Sequence, residues 1–346
     1  MKFNEFVGQQ EAKDQLLYGL RNDQVFHAYM FSGPAGIGKK TLGRVFASAL
    51  LCEEPDESGA CGKCKSCILM RDGSHPDFFS IVVDASKRDI TVDSVRDLFK
   101  DIEIKPLISK RKVYIIPSAD KMNKSAQNSI LKTLEEPLGY AVIILTASKR
   151  EALLDTIKSR VKEVLFKRNT IPEVESYLDN LSGTLKKTGG QASGEEAENP
   201  KHISEYMDHR TAAILSEGVI GEAVNIFSSP HMNDLRNSVI MNLPLLFKGD
   251  NEEFKSIILK YKEDYQYIFK IMQSCLRDMF IYAKVRDENV LINYDKKDII
   301  IKCADSVDKY FIEKCIELVE NVSKSLTFNT NFNGTIDYMV INFQEN

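Results

Sequence analysis

The stretch Phe31 to Thr41, FSGPAGIGKKT, constrains this chain more than any other. Gly33, Gly38 and Lys39 fit the phosphate-loop pattern G-x-x-x-x-G-K, with Gly36 between them. Ala28 to Phe31 is an apolar run that reads as a strand entering the loop. Lys39 to Leu51 reads as a helix leaving it. That unit has few homes other than a parallel α/β sheet. The residue after Lys39 departs from the pattern: a Ser or Thr hydroxyl should ligate Mg²⁺ there, and Lys40 occupies the position. An ammonium repels a metal cation, so Thr41 is the nearest hydroxyl left.

The following segments repeat the alternation. Strands are expected at Phe78 to Val83, Val113 to Ile116 and Val142 to Thr146. A helix is expected from the N-cap Thr91, where Val92, Val95, Leu98, Phe99 and Ile102 recur at helical spacing. Another is expected over Lys124 to Leu134. Alternating strands and helices imply a parallel sheet covered on both faces, with the ligand site at the strand C-terminal ends. After about Phe166 helical periodicity takes over. Leu181 to Pro200 is rich in Gly, Ser, Lys and Glu and reads as a flexible insertion. From Leu245 onward, runs such as YIFKIMQSCLRDMFIYA are strongly amphipathic helices. No internal repeat is visible.

At 346 residues the chain calls for two or three domains. Its 43% hydrophobic and 28% charged residues are those of a soluble globular protein. The net charge of −4 argues against a polybasic protein that holds DNA by counterion release. No apolar run is long enough to span a membrane. Acidic Glu5, Glu11 and Asp14 stand where a signal peptide would be apolar, so a cytoplasmic protein is expected.

Four of the seven cysteines lie together, at Cys52, Cys61, Cys64 and Cys67. The spacing C-x8-C-x2-C-x2-C can close one tetrahedral thiolate shell, the geometry of a structural zinc site. Such a shell leaves no coordination position open for catalysis. Lys63, Lys65 and Arg71 lie close enough to offset its charge. A redox C-x-x-C does not come with two further cysteines. Cys275, Cys303 and Cys315 sit among apolar helical positions and are expected in the core.

The metal-dependent parts of a phosphate-loop ATPase are missing one by one. The strand KVYII should run into an acidic pair, one carboxylate positioning Mg²⁺ and the next polarising the attacking water. Pro117 and Ser118 stand at those positions, and Asp120 lies three residues past Pro117. In the segment SEGVIGEAV, Gly221 takes the place where such an enzyme often sets an arginine over the nucleotide. With Lys40, these departures argue against intrinsic hydrolysis. The glycines, Lys39 and the helix N-terminus still form an anion site, so weak ATP binding without turnover is compatible with the sequence. Ser159-Arg160 has two readings. Arg160 is a surface ion-pair residue, or it acts in trans on a neighbour's γ-phosphate. Thr146, at a strand end, and His75, opening the turn His-Pro-Asp, are both read as structural.

These residues resemble the delta prime family of bacterial DNA polymerase III, the stator subunits of the clamp loader. The resemblance rests on FVGQQEAKDQL, HAYMFSGPAGIGKKTL, the four-cysteine knuckle, Ser74-His75-Pro76-Asp77, KVYIIPSADKMNKSAQNSILKTLEEP and Ser159-Arg160. It covers about the first 165 residues. It implies a RecA-like AAA+ core over 1–165 with the zinc module at 52–67. A small helical lid over 166–244 and a helical collar over 245–346 would follow. Tau/gamma and delta subunits are the implied partners, with the sliding clamp and primer-template DNA engaged by the whole assembly. The resemblance also implies that Arg160 acts as an arginine finger on an adjacent tau/gamma site. Tau/gamma relatives keep the metal ligand and acidic pair that this chain lacks. Two rival readings are an active tau/gamma-like ATPase, with a metal site shifted to Thr41, and a zinc-bearing nucleic-acid-binding module. The acidic net charge speaks against the latter.

Overall fold

A computed structural model describes residues 2–81, 89–188, 207–248, 251–328 and 330–343. The chain divides into two compact units, Met1–Tyr177 with Val219–Gly221, and Leu178–Gly218 with Glu222–Asn346.

The first unit contains a five-stranded sheet built from β1 (Ala28–Ser32), β2 (Phe78–Ser80), β3 (Lys112–Ile116), β4 (Ala141–Ala147) and β5 (Lys162–Leu165). All four pairings are parallel, in the order β2-β3-β4-β1-β5. Its three central strands are buried along their whole length, which is why they read as continuous apolar runs. The two-residue period of a strand sorts their side chains into two cores. Tyr29, Phe31, Val113, Ile115, Val142 and Ile144 face one cluster, packed with Leu16 of α1 (Gln10–Arg21) and with Leu42, Val45 and Phe46 of α2 (Lys39–Leu51). Met30, Tyr114, Ile116, Ile143 and Leu145 face the other. That cluster includes Val95 of α4 (Val92–Phe99), Ala126 of α5 (Lys124–Ser129), Leu134 of α6 (Leu131–Glu135) and Ile157 of α7 (Asp155–Lys158). The short helix α3 (Lys65–Arg71) carries the last knuckle residue, Cys67, and is N-capped by Cys64.

Helix α2 has the bounds expected from sequence, and Thr91 caps α4 by accepting the Ser94 N–H at 3.4 Å. Three expectations change. Lys124 to Leu134 is two helices, because the chain turns at Ile130; the Ser129 hydroxyl donates to the Ala126 carbonyl at 2.7 Å just before the break. β2 ends at Ser80, and the remainder of the expected Phe78 to Val83 strand includes residues outside those described. The segment expected as a flexible insertion at 181–200 begins inside a helix: α8 spans Ile171–Thr188. The helix continues past its buried residues Leu178 and Ser182. Residues 189–200 lie outside the described residues.

The second unit is helical: α9 (His209–Leu215), α10 (Ile220–Ser228, from Glu222), α11 (Pro230–Lys248), α12 (Asn251–Lys260), α13 (Tyr265–Val285), α14 (Lys297–Ser306), α15 (Lys309–Thr327) and α16 (Phe332–Asn342). Cys275, Cys303 and Cys315 are buried in α13, α14 and α15, as their apolar neighbours implied. Arg236 of α11 is buried too. It is held by a bidentate pair with Asp295 at 2.8 and 2.7 Å and by Asn293 at 2.9 Å. Among the described residues, no helix is long and apolar enough to cross a membrane.

Candidate functional site

Because β3, β4 and β1 are neighbours, their C-terminal ends bring three turns together: Pro117-Ser118, Ser148 and the glycine loop. Gly33 opens the loop, its N–H donating to Ala147 O at 3.2 Å. Gly38 closes it as the N-cap of α2 with φ +95°, a conformation that disfavours other residues. A Cβ at Gly38 would lie 2.8 Å from the Phe6 ring. Packing alone therefore requires this glycine, and its presence is not a signature of nucleotide binding.

Lys39 is turned inward and is only 7% exposed. Its Nζ donates to Gly33 O and Pro34 O, both at 2.6 Å, and to Ser148 Oγ at 3.1 Å. Burial lowers its pKa to about 8, partly offset by the Asp120 carboxylate. A phosphate reaching this ammonium must displace bonds to the loop's own carbonyls. Gly221, at the position where an ATPase of this kind often sets an arginine, packs on the loop: its N–H donates to Gly36 O at 2.9 Å, and a Cβ there would also fall 2.9 Å from that oxygen. Any larger residue would push into the loop.

Around the metal position, Lys40 is exposed and Pro117 is buried. Ser118 adopts a left-handed conformation, φ +50°, and its N–H donates to Thr146 Oγ1 at 2.9 Å. That bond gives Thr146 the structural role its strand-end position suggested. Neither side chain at 117 or 118 is an acid, so the residues present do not form the carboxylate pair that holds Mg²⁺ and activates water. The 3₁₀ turn Ala119–Lys121 places Asp120 beside the same cluster, where Oδ2 accepts the Lys149 N–H at 3.2 Å. Its Oδ1 is buried with no hydrogen-bond partner among the described residues. Sequence spacing could not show this, since Ser148 and Lys149 reach Lys39 and Asp120 only through the β3-β4-β1 order.

Arg160 follows α7 on the turn into β5, with a side chain about one-third exposed (35%). Its guanidinium pairs with Glu135 at 2.9 Å and donates to Thr156 O at 2.9 Å and Ser159 Oγ at 3.2 Å. The ion pair gives the surface-residue reading a named partner. It also fixes where the charge is presented.

The four clustered cysteines converge. Their sulfurs all lie within 4.8 Å of one another, with Cys52–Cys64 and Cys61–Cys67 at 3.9 Å and Cys52–Cys67 at 3.6 Å. A tetrahedron with its centre ~2.3 Å from each sulfur has edges of about 3.8 Å. The donor set therefore fits a zinc-sized ion. Backbone N–H groups point at the sulfurs: Cys61 to Cys52 at 3.3 Å, and Gly62 to Cys67, Cys64 to Cys61 and Cys67 to Cys64 at 3.4 Å. The donors from Lys63 and Cys64 pull Cys61 down to about 6, whereas burial pushes Cys52 and Cys67 up. A divalent cation would offset that opposition to full deprotonation.

His75 and Asp77 are buried behind this cluster. His75 Nε2 lies 2.7 Å from Ser66 Oγ, and Nδ1 accepts the Asp77 N–H at 3.1 Å, the structural role read from the His-Pro-Asp turn. Asp77 accepts the N–H groups of Leu107, Ile108 and Ser109 at 2.7, 2.8 and 2.9 Å. Burial raises its pKa, but the three donors outweigh burial and the net shift is downward. A depressed carboxylate pKa contributes stability above its ordinary value near 3.9, and the contribution is lost as pH falls toward the folded value. Asp77→Asn is expected to cost about 2–4 kcal/mol at neutral pH. Chemical denaturation of both proteins should show that gap narrowing below about pH 4.

A parallel sheet with a glycine loop between β1 and α2 is the P-loop type of α/β arrangement. Residues 8–170 match the family model described as DNA polymerase III, delta subunit. A DNA polymerase III subunit delta' from Pseudomonas aeruginosa is 45% identical over 134 residues, 39% of this chain and 41% of that protein. A tau/gamma subunit from Haemophilus influenzae is 32% identical over 179 residues, 52% of this chain and 26% of that protein. A gamma subunit from Buchnera aphidicola subsp. Schizaphis graminum is 28% identical over 352 residues, covering 98% of this chain and 94% of that one. The chain thus spans less than half the length of the first two relatives. A solved gamma subunit-related protein from Thermotoga maritima aligns with TM-score 0.42 and 18% identity, over 96% of this chain and 99% of that one. The similarity to delta' and tau/gamma subunits of DNA polymerase III is thus carried by the N-terminal region.

Proposed function

We propose that this chain is the delta prime-type, non-hydrolysing subunit of a DNA polymerase III clamp loader. It contributes a platform and one arginine to ATP-driven loading of a sliding clamp onto primer-template DNA. The observation that carries the reading is the metal position: Lys40, Pro117 and Ser118 stand where a hydroxyl and two acids are needed. Lys39 bonded to the loop's own carbonyls supports it. Nucleotide binding, where it occurs, would be weak and without turnover.

On this reading residues 1–165 are the AAA+ core, 166–244 the lid and 245–346 a collar that assembles with tau/gamma and delta subunits. Arg160 supplies its guanidinium to the γ-phosphate of an adjacent tau/gamma site. Its planar fork suits two phosphate oxygens, and Glu135 holds it in place until the neighbour docks. Zinc on Cys52, Cys61, Cys64 and Cys67 would cross-link the segment between α2 and α3 and take no part in chemistry.

Reconstitution tests the reading. Tau/gamma and delta subunits should load clamps and show DNA-stimulated ATP turnover only when this chain completes the assembly. Equal loading without it would remove the proposed role.

A further inference from the structure

Two short elements beside the cysteine cluster hold aliphatic side chains in solvent on a firmly tied frame. On α3, Lys65, Ile68 and Arg71 recur every three residues and share one exposed face, with Ile68 at 40% exposure. In the loop that leads into β3, Leu107 and Ile108 are 72% and 37% exposed, and Lys110 follows in solvent. Beneath this surface the two elements are clasped. Ser66 Oγ lies 3.3 Å from Ser109 Oγ, and both hydroxyls donate to Leu51 O, at 2.6 and 2.8 Å. The buried Asp77 carboxylate grips three successive N–H groups at Leu107, Ile108 and Ser109. The loop cannot swing its leucine and isoleucine inward without breaking those charge-assisted bonds.

Exposed aliphatic side chains rimmed by polar groups mark interaction surfaces. This rim is mainly cationic. Among the described residues Lys65 and Lys110 have no ion pair, Arg71 has only a 3.6 Å contact with its neighbour Asp72, and the Glu53 carboxylate at the start of α3 accepts the Ser66 N–H at 3.2 Å. We propose that this face docks an acidic, aliphatic peptide segment of a partner protein. The leucine and isoleucines would bury its apolar side chains, and the three cations would meet its carboxylates. Nucleic acid is the poorer fit. None of the six residues named on it is aromatic, so none offers a ring on which a base could stack, and a phosphodiester would leave Leu107 without an apolar partner. The inference does not depend on whether the chain hydrolyses ATP.

The test displays a random short-peptide library to the full-length, metal-loaded chain, then measures a resynthesised binder by fluorescence anisotropy. Selected peptides should combine Asp or Glu with Leu or Ile. Their affinity should fall about tenfold or more in Ile68→Ser/Leu107→Ser and in Lys65→Glu/Lys110→Glu. It should also fall with added salt. Metal content and melting temperature verify that each variant is folded, and the charge-reversal variant leaves the aliphatic surface intact if the serine variant is not. Binders of other composition, or binders indifferent to both variants, would overturn the proposal. So would an oligothymidylate that binds with the same sensitivity to Ile68→Ser/Leu107→Ser, which would assign the face to single-stranded nucleic acid.

Discussion

Arg160→Ala, placed in an assembled clamp loader, is expected to slow ATP turnover at the one tau/gamma site it faces by on the order of 10³ or more, the usual cost of losing an arginine finger. Bulk ATPase should fall much less, because the other motor sites take their arginines from one another. Clamp loading should suffer more than bulk turnover if the sites fire in concert. The ion pair with Glu135 provides the control. An exposed pair of this kind contributes about 0–1 kcal/mol, so Arg160→Ala should leave folding, metal content and assembly intact. Glu135→Gln removes the same pair and leaves the guanidinium, so it should retain most of the site's turnover. Arg160→Lys should rescue poorly, since an ammonium lacks the planar fork. Equal effects of Glu135→Gln and Arg160→Ala, or no effect of either on turnover and loading, would return Arg160 to the role of a surface ion-pair partner.

Removing one knuckle sulfur should have the largest effect on stability. Metal analysis of the purified chain is expected to find about one zinc per molecule. Cys64→Ser deletes a ligand and also the acceptor of the Cys67 N–H. It should abolish tight metal binding and cost about 3 kcal/mol or more, since structural zinc contributes its binding energy to folding. The sheet has its own cores on both faces, so the loss should appear first as protease sensitivity near 52–67. Chelation should reproduce it in the parent chain. A metal-free preparation with the same melting temperature and protease resistance would refute a structural metal.

Features set by local sequence were legible in advance. The glycine loop, the bounds of α2, the Thr91 cap and the cysteine spacing each depend on residues close together in the chain. The buried strands were legible for a related reason, because a strand covered on both faces shows as an unbroken apolar run. What sequence did not show depends on strand order or on competition between neighbouring residues. Asp120, Ser148 and Lys149 join the phosphate loop only because β3, β4 and β1 lie side by side. The partner of Arg160, Glu135 in LKTLEEP, lies 25 residues away, and no helical spacing connects the two. Asp77 grips residues some 30 positions downstream, so a residue read as part of a turn ties a distant loop. Helix ends were read less well: Ile130 interrupts what periodicity suggested was one helix, and α8 runs into residues whose polarity suggested a loop.

The central claim is that the phosphate loop does no hydrolysis of its own. It is tested most directly by ATP turnover of the purified, metal-loaded chain, with Mg²⁺ present and with Lys39→Ala measured beside it. Turnover at background level, equal in the two proteins, is the predicted result, because Lys40, Pro117 and Ser118 supply neither a metal ligand nor a base. Steady turnover that disappears in Lys39→Ala would contradict the account and mark the chain as an active tau/gamma-like ATPase.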